Sequence, residues 1–131
     1  MSVAIGEFGP PVLFVEDVER AKNFYVDVLG FNFGFGDATS AGLFLGDVMF
    51  LLVSVPSASD MLPGERLGTT QGQKPVGLFN IFVENVDESF ALLRSRGVAF
   101  IVDPTDREWG RRTAHFKDPD GYIWEISQSI D

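Results

Sequence analysis

The side chains able to do acid–base or ligand chemistry are few. The chain has one histidine, His115, and no cysteine. Thiolate nucleophiles, thiolate metal sites and disulfides are therefore excluded, leaving oxygen and nitrogen ligands. Glu125 follows His115 by ten residues, within Tyr122-Ile123-Trp124-Glu125-Ile126. An imidazole and a carboxylate together could hold a divalent ion or move a proton, although a catalytic ion normally needs about three protein ligands. Whether the two meet depends on the hairpin between them. If Asp118-Pro119-Asp120-Gly121 forms a four-residue turn, Lys117 faces Tyr122, His115 pairs with Trp124, and Ala114 pairs with Glu125. Directly opposed residues share a sheet face, so this register sends His115 and Glu125 to opposite sides. Arg112, Ala114, Phe116, Ile123, Glu125 and Ser127 then form one face, and Thr113, His115, Lys117, Tyr122, Trp124 and Ile126 the other. His115 reads as a packed or surface residue on the helix side. The Asp-Pro-Asp-Gly run lacks further spaced carboxylates and reads as turn chemistry, not as a calcium loop.

The elements that must carry these residues show an internal repeat. Leu13-Phe14-Val15-Glu16-Asp17-Val18-Glu19 lies over Ile81-Phe82-Val83-Glu84-Asn85-Val86-Asp87 at an offset of 68 residues. In both copies an apolar strand runs into Asp17 or Asn85, residues that cap helix N-termini, and Glu88 completes a capping-box pattern with Asn85. Apolar residues then take helical spacing: Val18, Ala21, Tyr25, Val28 and Leu29 in the first copy, Val86, Phe90 and Leu93 in the second. Gly30 and Gly97 stand where each helix should end. Three short strands are predicted after each: Phe31–Phe35, Gly42–Leu45 and Val48–Val55, then Val98–Ile101, Arg112–Phe116 and Tyr122–Gln128. The expectation is an α+β fold of two tandem βαβββ modules, residues 8–55 and 76–130. Loop 56–75, rich in Pro, Gly, Ser and Thr, joins them as an exposed connector with room for a helical turn. One such module would leave an apolar sheet face open, so two copies complete each other. A ferredoxin-like βαββαβ sheet accounts less well for three strands per half.

Length and composition agree with one folded domain. The 131 residues are 45% hydrophobic and 13% aromatic, ample for a core and too short for two independent domains. No apolar run reaches membrane-helix length, and the opening Met1-Ser2-Val3-Ala4-Ile5 lacks the basic start and apolar core of a signal peptide, so a cytoplasmic location is expected. The net charge of −9, from 19 acidic against 10 basic side chains, disfavours nucleic acid and anionic membranes as partners. It reads either as attraction for a cationic ligand or as ordinary solubility charge.

Two stretches resemble a known family. Phe14-Val15-Glu16-Asp17-Val18-Glu19-Arg20-Ala21-Lys22-Asn23-Phe24-Tyr25 through Leu29-Gly30-Phe31 is similar to the first strand and helix of the vicinal oxygen chelate superfamily. Its members include glyoxalase I, extradiol dioxygenases, fosfomycin-resistance enzymes and bleomycin-resistance proteins. Trp109-Gly110-Arg111-Arg112-Thr113-Ala114-His115-Phe116-Lys117-Asp118-Pro119-Asp120-Gly121-Tyr122-Ile123-Trp124-Glu125-Ile126 resembles its closing hairpin. The resemblance implies mixed sheets curled around a cleft, with a divalent metal held by one residue from the first strand and one from the last strand of each module. Those positions fall on Pro10, Leu78, Leu51 (Leu52 in a shifted register) and Glu125, so one of four carries a ligand type.

The expected reading is a metal-independent small-molecule binding protein of the bleomycin-resistance type, sequestering an aromatic or cationic compound. Its cleft would have Met49, Leu51, Val53, Phe116 and Ile123 as walls and Arg112 with Glu125 as the polar pair. Glu125 reads as a ligand hook or general base, or as a carboxylate neutralised by Arg112 for structural reasons. Trp109 would stack at the cleft mouth or simply pack. The alternative is a metal-dependent glyoxalase-like lyase or isomerase, or a dioxygenase, in which Glu125 acts as general base beside a metal-bound enediolate. The resemblance also implies a homodimer.

Overall fold

Each half of the chain begins with a strand that runs directly into a capped helix. The computed structural model describes residues 3–69 and 74–131; Met1, Ser2 and residues 70–73 of the connector lie outside the described residues. Strand β1 (Val12–Val15) leads to helix α1 (Val18–Asn23), where the Asp17 side chain accepts from the Arg20 amide at 3.0 Å. A π-helical turn over Phe24–Val28 extends α1. Strands β2 (Asn32–Gly36), β3 (Ser40–Leu45) and β4 (Val48–Ser54) follow. Helix α2 (Val55–Met61) opens the connector, so Val55, expected to end a strand, instead starts a helix capped by Ser54.

The second half repeats the plan with β5 (Phe79–Phe82), α3 (Val86–Ser95), β6 (Phe100–Arg107), β7 (Arg111–Lys117) and β8 (Ile123–Ser129). Asn85 caps α3 by accepting from the Glu88 amide at 3.0 Å. The helices give way to Gly30 and Gly97 with φ of +81° and +87°. Strand β6 runs six residues beyond the expected end at Ile101. Its ladder with β7 shifts register between Val102 and Thr105, and Pro104, which has no amide to donate, sits within that bulge.

The result is two four-stranded mixed sheets, ordered β1-β4-β3-β2 and β5-β8-β7-β6, with β1 parallel to β4 and β5 parallel to β8. Strand alternation gives each sheet a helix face and an open face. On the helix faces lie Leu13, Val15, Ala41, Leu43, Phe50 and Leu52 of the first sheet and Ala114, Phe116, Trp124 and Ile126 of the second, all buried. They form one continuous core with Val18, Ala21, Tyr25 and Phe31. Its centre joins the modules: Tyr25 packs on Phe50 and on Trp124 with ring centroids 5.1 and 5.6 Å apart, and Phe31 lies 5.9 Å from Trp124. Such pairs add about 0.5–1.5 kcal/mol each beyond the burial of their area.

A polar joint reinforces the aromatic one. The loop between β7 and β8, read from the sequence as turn chemistry alone, is docked on the first module. The Tyr25 hydroxyl donates to Asp118 and accepts from Trp124 Nε1 at 3.0 Å. The Tyr122 hydroxyl accepts from the Phe14 amide at 3.1 Å and donates to the Phe14 carbonyl at 2.8 Å, satisfying the free edge of β1. Asp120 accepts from the Glu16 amide at 3.0 Å and pairs with Arg20 at 3.3 Å. Burial pushes the Asp118 carboxyl up to about 6, outweighing the donors from Tyr25, Tyr122 and Asp120 that favour its ionised form. Burial and the neighbouring Asp118 hold the Tyr25 hydroxyl well above its ordinary value, so it remains the donor. Among the described residues no helix is long and apolar enough to cross a membrane.

Candidate functional site: a carboxylate–imidazole row and an apolar cavity

Glu125 lies on the open face of the second sheet, and the strands beside it decide its neighbours. In the β7–β8 ladder it pairs with His115, and in the β5–β8 ladder with Asn80. Asn80, Glu125 and His115 thus form a row across three strands. His115 Nε2 lies 2.9 Å from Glu125 Oε1, and both side chains are largely shielded, 13% and 16% exposed. A carboxylate at Nε2 selects the tautomer with its proton there. The buried Nδ1 has no hydrogen-bond partner among the described residues, which favours the same tautomer, since a proton on it would be an unsatisfied donor.

This arrangement overturns the expected register. His115 was expected opposite Trp124 and Ala114 opposite Glu125; the ladder pairs His115 with Glu125 and Ala114 with Ile126. The cause is the hairpin. Asp118 and Tyr122 form the closing pair, the Gly121 amide bonds back to the Asp118 carbonyl at 3.0 Å, and Gly121 has φ +89°. This is a three-residue loop, a type I turn followed by a left-handed glycine, where a four-residue turn was expected. One residue of slip exchanges the faces of β8 relative to β7. The glycine at the third loop position was the signal that could have found it.

The other expected site residues are divided accordingly. Arg112 is not paired with Glu125. It lies on the helix face, bonded to Asp87 at the start of α3 at 3.0 Å and to Asp106 of β6 at 2.9 Å. Phe116, expected as a cleft wall, is fully buried beside Phe24 and Phe100. Met49, Leu51 and Val53 lie half-buried on the open face of the first sheet, and Ile123 shares the face of Glu125. Trp109, at the tip of the β6–β7 hairpin, is 70% exposed.

A cavity of about 200 Å³ opens between the modules, lined by Pro11, Leu13, Phe31, Leu45, Val48, Phe50, Phe79, Asn80, Ile81 and Trp124. Asn80 is the one polar residue at its rim, and by the β5–β8 register its side chain belongs to the open face with Glu125, so the wall of the cavity is apolar. Sequence reasoning missed it because the expected walls on β4 were Met49, Leu51 and Val53, whereas the cavity uses the alternate residues Val48 and Phe50. The aromatic content of that alternate face, Phe31, Phe50, Phe79 and Trp124, was the available signal.

A scan of family models matches residues 7–126 to the glyoxalase/bleomycin resistance protein/dioxygenase superfamily. The chain belongs to this superfamily. The uncharacterized protein YraH of Bacillus subtilis (strain 168) is 30% identical over 121 residues, covering 90% of this chain and 94% of that protein. A glyoxalase/bleomycin resistance protein/dioxygenase from Nocardioides matches with a TM-score of 0.80 at 21% identity, over 99% of this chain and 87% of that one. A protein of unknown function from Agrobacterium tumefaciens str. C58 has a TM-score of 0.80 at 25% identity, over 98% of each chain.

Superfamily members often use a divalent metal, and the residues here do not fit one. Pro10, Leu78 and Leu51 offer no ligand atom in their side chains, and Leu52 would serve no better. Glu125 and His115 bond to each other, and no group of three or more His, Asp or Glu side chains comes together among the described residues.

Proposed function

We propose that this chain is a metal-independent small-molecule binding protein of the bleomycin-resistance type, sequestering an aromatic compound in the cavity between its modules. The observation that carries the reading is the lining: the aromatic rings of Phe31, Phe50, Phe79 and Trp124 surround an apolar space. An apolar pocket with few oriented polar groups suits burial and stacking rather than covalent chemistry. The cavity contains no acidic side chain, so the aromatic half of the expected ligand description is favoured over the cationic half. Trp109→Phe leaves Trp124 as the sole indole, and titration with small aromatic compounds is then expected to quench its fluorescence saturably. No saturable response to any of them, together with lyase activity restored by added metal, would overturn the reading.

One observation favours the alternative of a glyoxalase-like lyase or isomerase: the carboxylate-oriented imidazole of His115 on the open face. Metal analysis of protein purified without chelator separates the two. Near-stoichiometric nickel, zinc or iron that is lost in Glu125→Gln supports the enzyme. A homodimer in the cytoplasm completes the proposal. Its support is the edge strand β2, whose Phe33 and Phe35 are 50% and 52% exposed, and sedimentation velocity tests it.

A further inference from the structure

Two arginines stand side by side on the open face of the second sheet, and nothing described above uses them. Arg107, the last residue of β6, and Arg111, the first of β7, are directly opposed across the hairpin. Each is held at its Nε. Arg107 donates to Thr113 Oγ1 at 2.9 Å and Arg111 to Ser127 Oγ at 2.8 Å, and both hydroxyl-bearing residues are fully buried. Arg111 also lies over the Phe82 ring at 4.9 Å. These contacts orient both guanidinium groups, whose terminal amines have no hydrogen-bond partner among the described residues.

The pairing runs against ordinary sheet electrostatics. Like charges directly opposite each other destabilise a ladder, and this chain has 19 acidic side chains available to neutralise them. Among the described residues neither guanidinium forms an ion pair, whereas Arg20 and Arg112 both do. Asp131 lies beside Gly110 in the same turn and still pairs with neither. Thr113 and Ser127 are themselves paired across β7 and β8, so the two guanidinium groups are anchored at neighbouring positions, and the terminal amines of a guanidinium can donate two parallel N–H bonds to an oxyanion.

We propose that Arg107 and Arg111, positioned by Thr113 and Ser127, form a binding site for the oxyanion group of a small molecule, a carboxylate or a phosphate. Polyanions such as nucleic acid are not the occupant, because the net charge of −9 repels them at range. The site lies on the open face of the sheet, apart from the apolar cavity, and stands whether or not that cavity takes an aromatic compound.

The test follows the side-chain Nε–H signals of the arginines by ¹⁵N-edited NMR. Inorganic phosphate, and acetate in a separate arm, is titrated while chloride keeps the ionic strength constant. Both Arg107 and Arg111 signals are expected to move together and saturate, with exposed Arg94 and Arg96 as references. Saturation with phosphate marks a phosphate-bearing ligand, and saturation with acetate a carboxylate. In Arg107→Gln the saturating concentration should rise at least about tenfold. Arg107→Lys, which keeps the charge and loses the fork, serves if the glutamine variant does not fold and should also weaken binding. Movement that never saturates, or that matches Arg94 and Arg96, overturns the proposal. So does unchanged affinity in the folded variant.

Discussion

Asp118 gives the joint between the modules a pH dependence opposite in sign to that of most carboxylates. Its folded-state value of about 6 lies above the 3.8 of an unperturbed group, so the folded protein holds this proton more tightly than the unfolded chain does. Between about pH 4 and 6 the native state binds more protons at this site, and stability attributable to it falls as pH rises. A difference of about two units corresponds to about 3 kcal/mol at neutral pH, of which about 2–3 kcal/mol develops between pH 4 and 7. Asp118→Asn removes the titration while retaining an amide oxygen able to accept from the backbone amides of Asp120 and Tyr122. Urea unfolding of both proteins at half-unit steps from pH 4 to 7 isolates the contribution of Asp118 together with its coupling to Asp120, because the carboxylates remote from it cancel in the difference. The native protein should lose about 2–3 kcal/mol relative to Asp118→Asn across that range. If it instead gains on the variant as pH rises, the three donors outweigh burial and the reasoning about this joint is wrong.

Three further outcomes follow from the same geometry. Gly121→Ala forces a Cβ into a φ of +89° and should destabilise by about 1–2 kcal/mol in the same assay; an unchanged midpoint would mean that the hairpin closes differently. In ¹⁵N spectra the neutral form of the His115 ring should carry its proton on Nε2, and Glu125→Ala should erase that preference; a proton on Nδ1 in the native protein would contradict the pairing. Arg112→Ala should leave the urea midpoint nearly unchanged, since its partners Asp87 and Asp106 are exposed, 62% and 65%. It should also leave quenching of Trp124 by aromatic compounds unchanged, whereas a lost response would return Arg112 to the ligand site.

What the sequence disclosed and what it concealed differ in physical range. The duplicated module was legible because its signals are local and redundant: the caps at Asp17 and Asn85, helical spacing through Tyr25 and Phe90, and glycines at both helix ends each point to the same fold. The site has no such redundancy. Strand side chains alternate with a period of two, so the face of Glu125 relative to β7 depends on the single question of whether three or four residues make the loop after Lys117. The glycine at position 121 answers it, and with that one residue Arg112 moves to the helix face while His115 comes opposite Glu125. The cavity was hidden for a related reason. Phe50 and Trp124 look like ordinary core residues in sequence, and only the meeting of two modules at Tyr25 determines how much space their rings leave between them. The joint itself rests on contacts between residues some hundred positions apart, Phe14 with Tyr122 and Arg20 with Asp120, which no local pattern records. Chemistry in this fold is therefore written in register and docking, so a substitution that shifts the 118–122 hairpin should disturb the joint and the Glu125–His115 pair together.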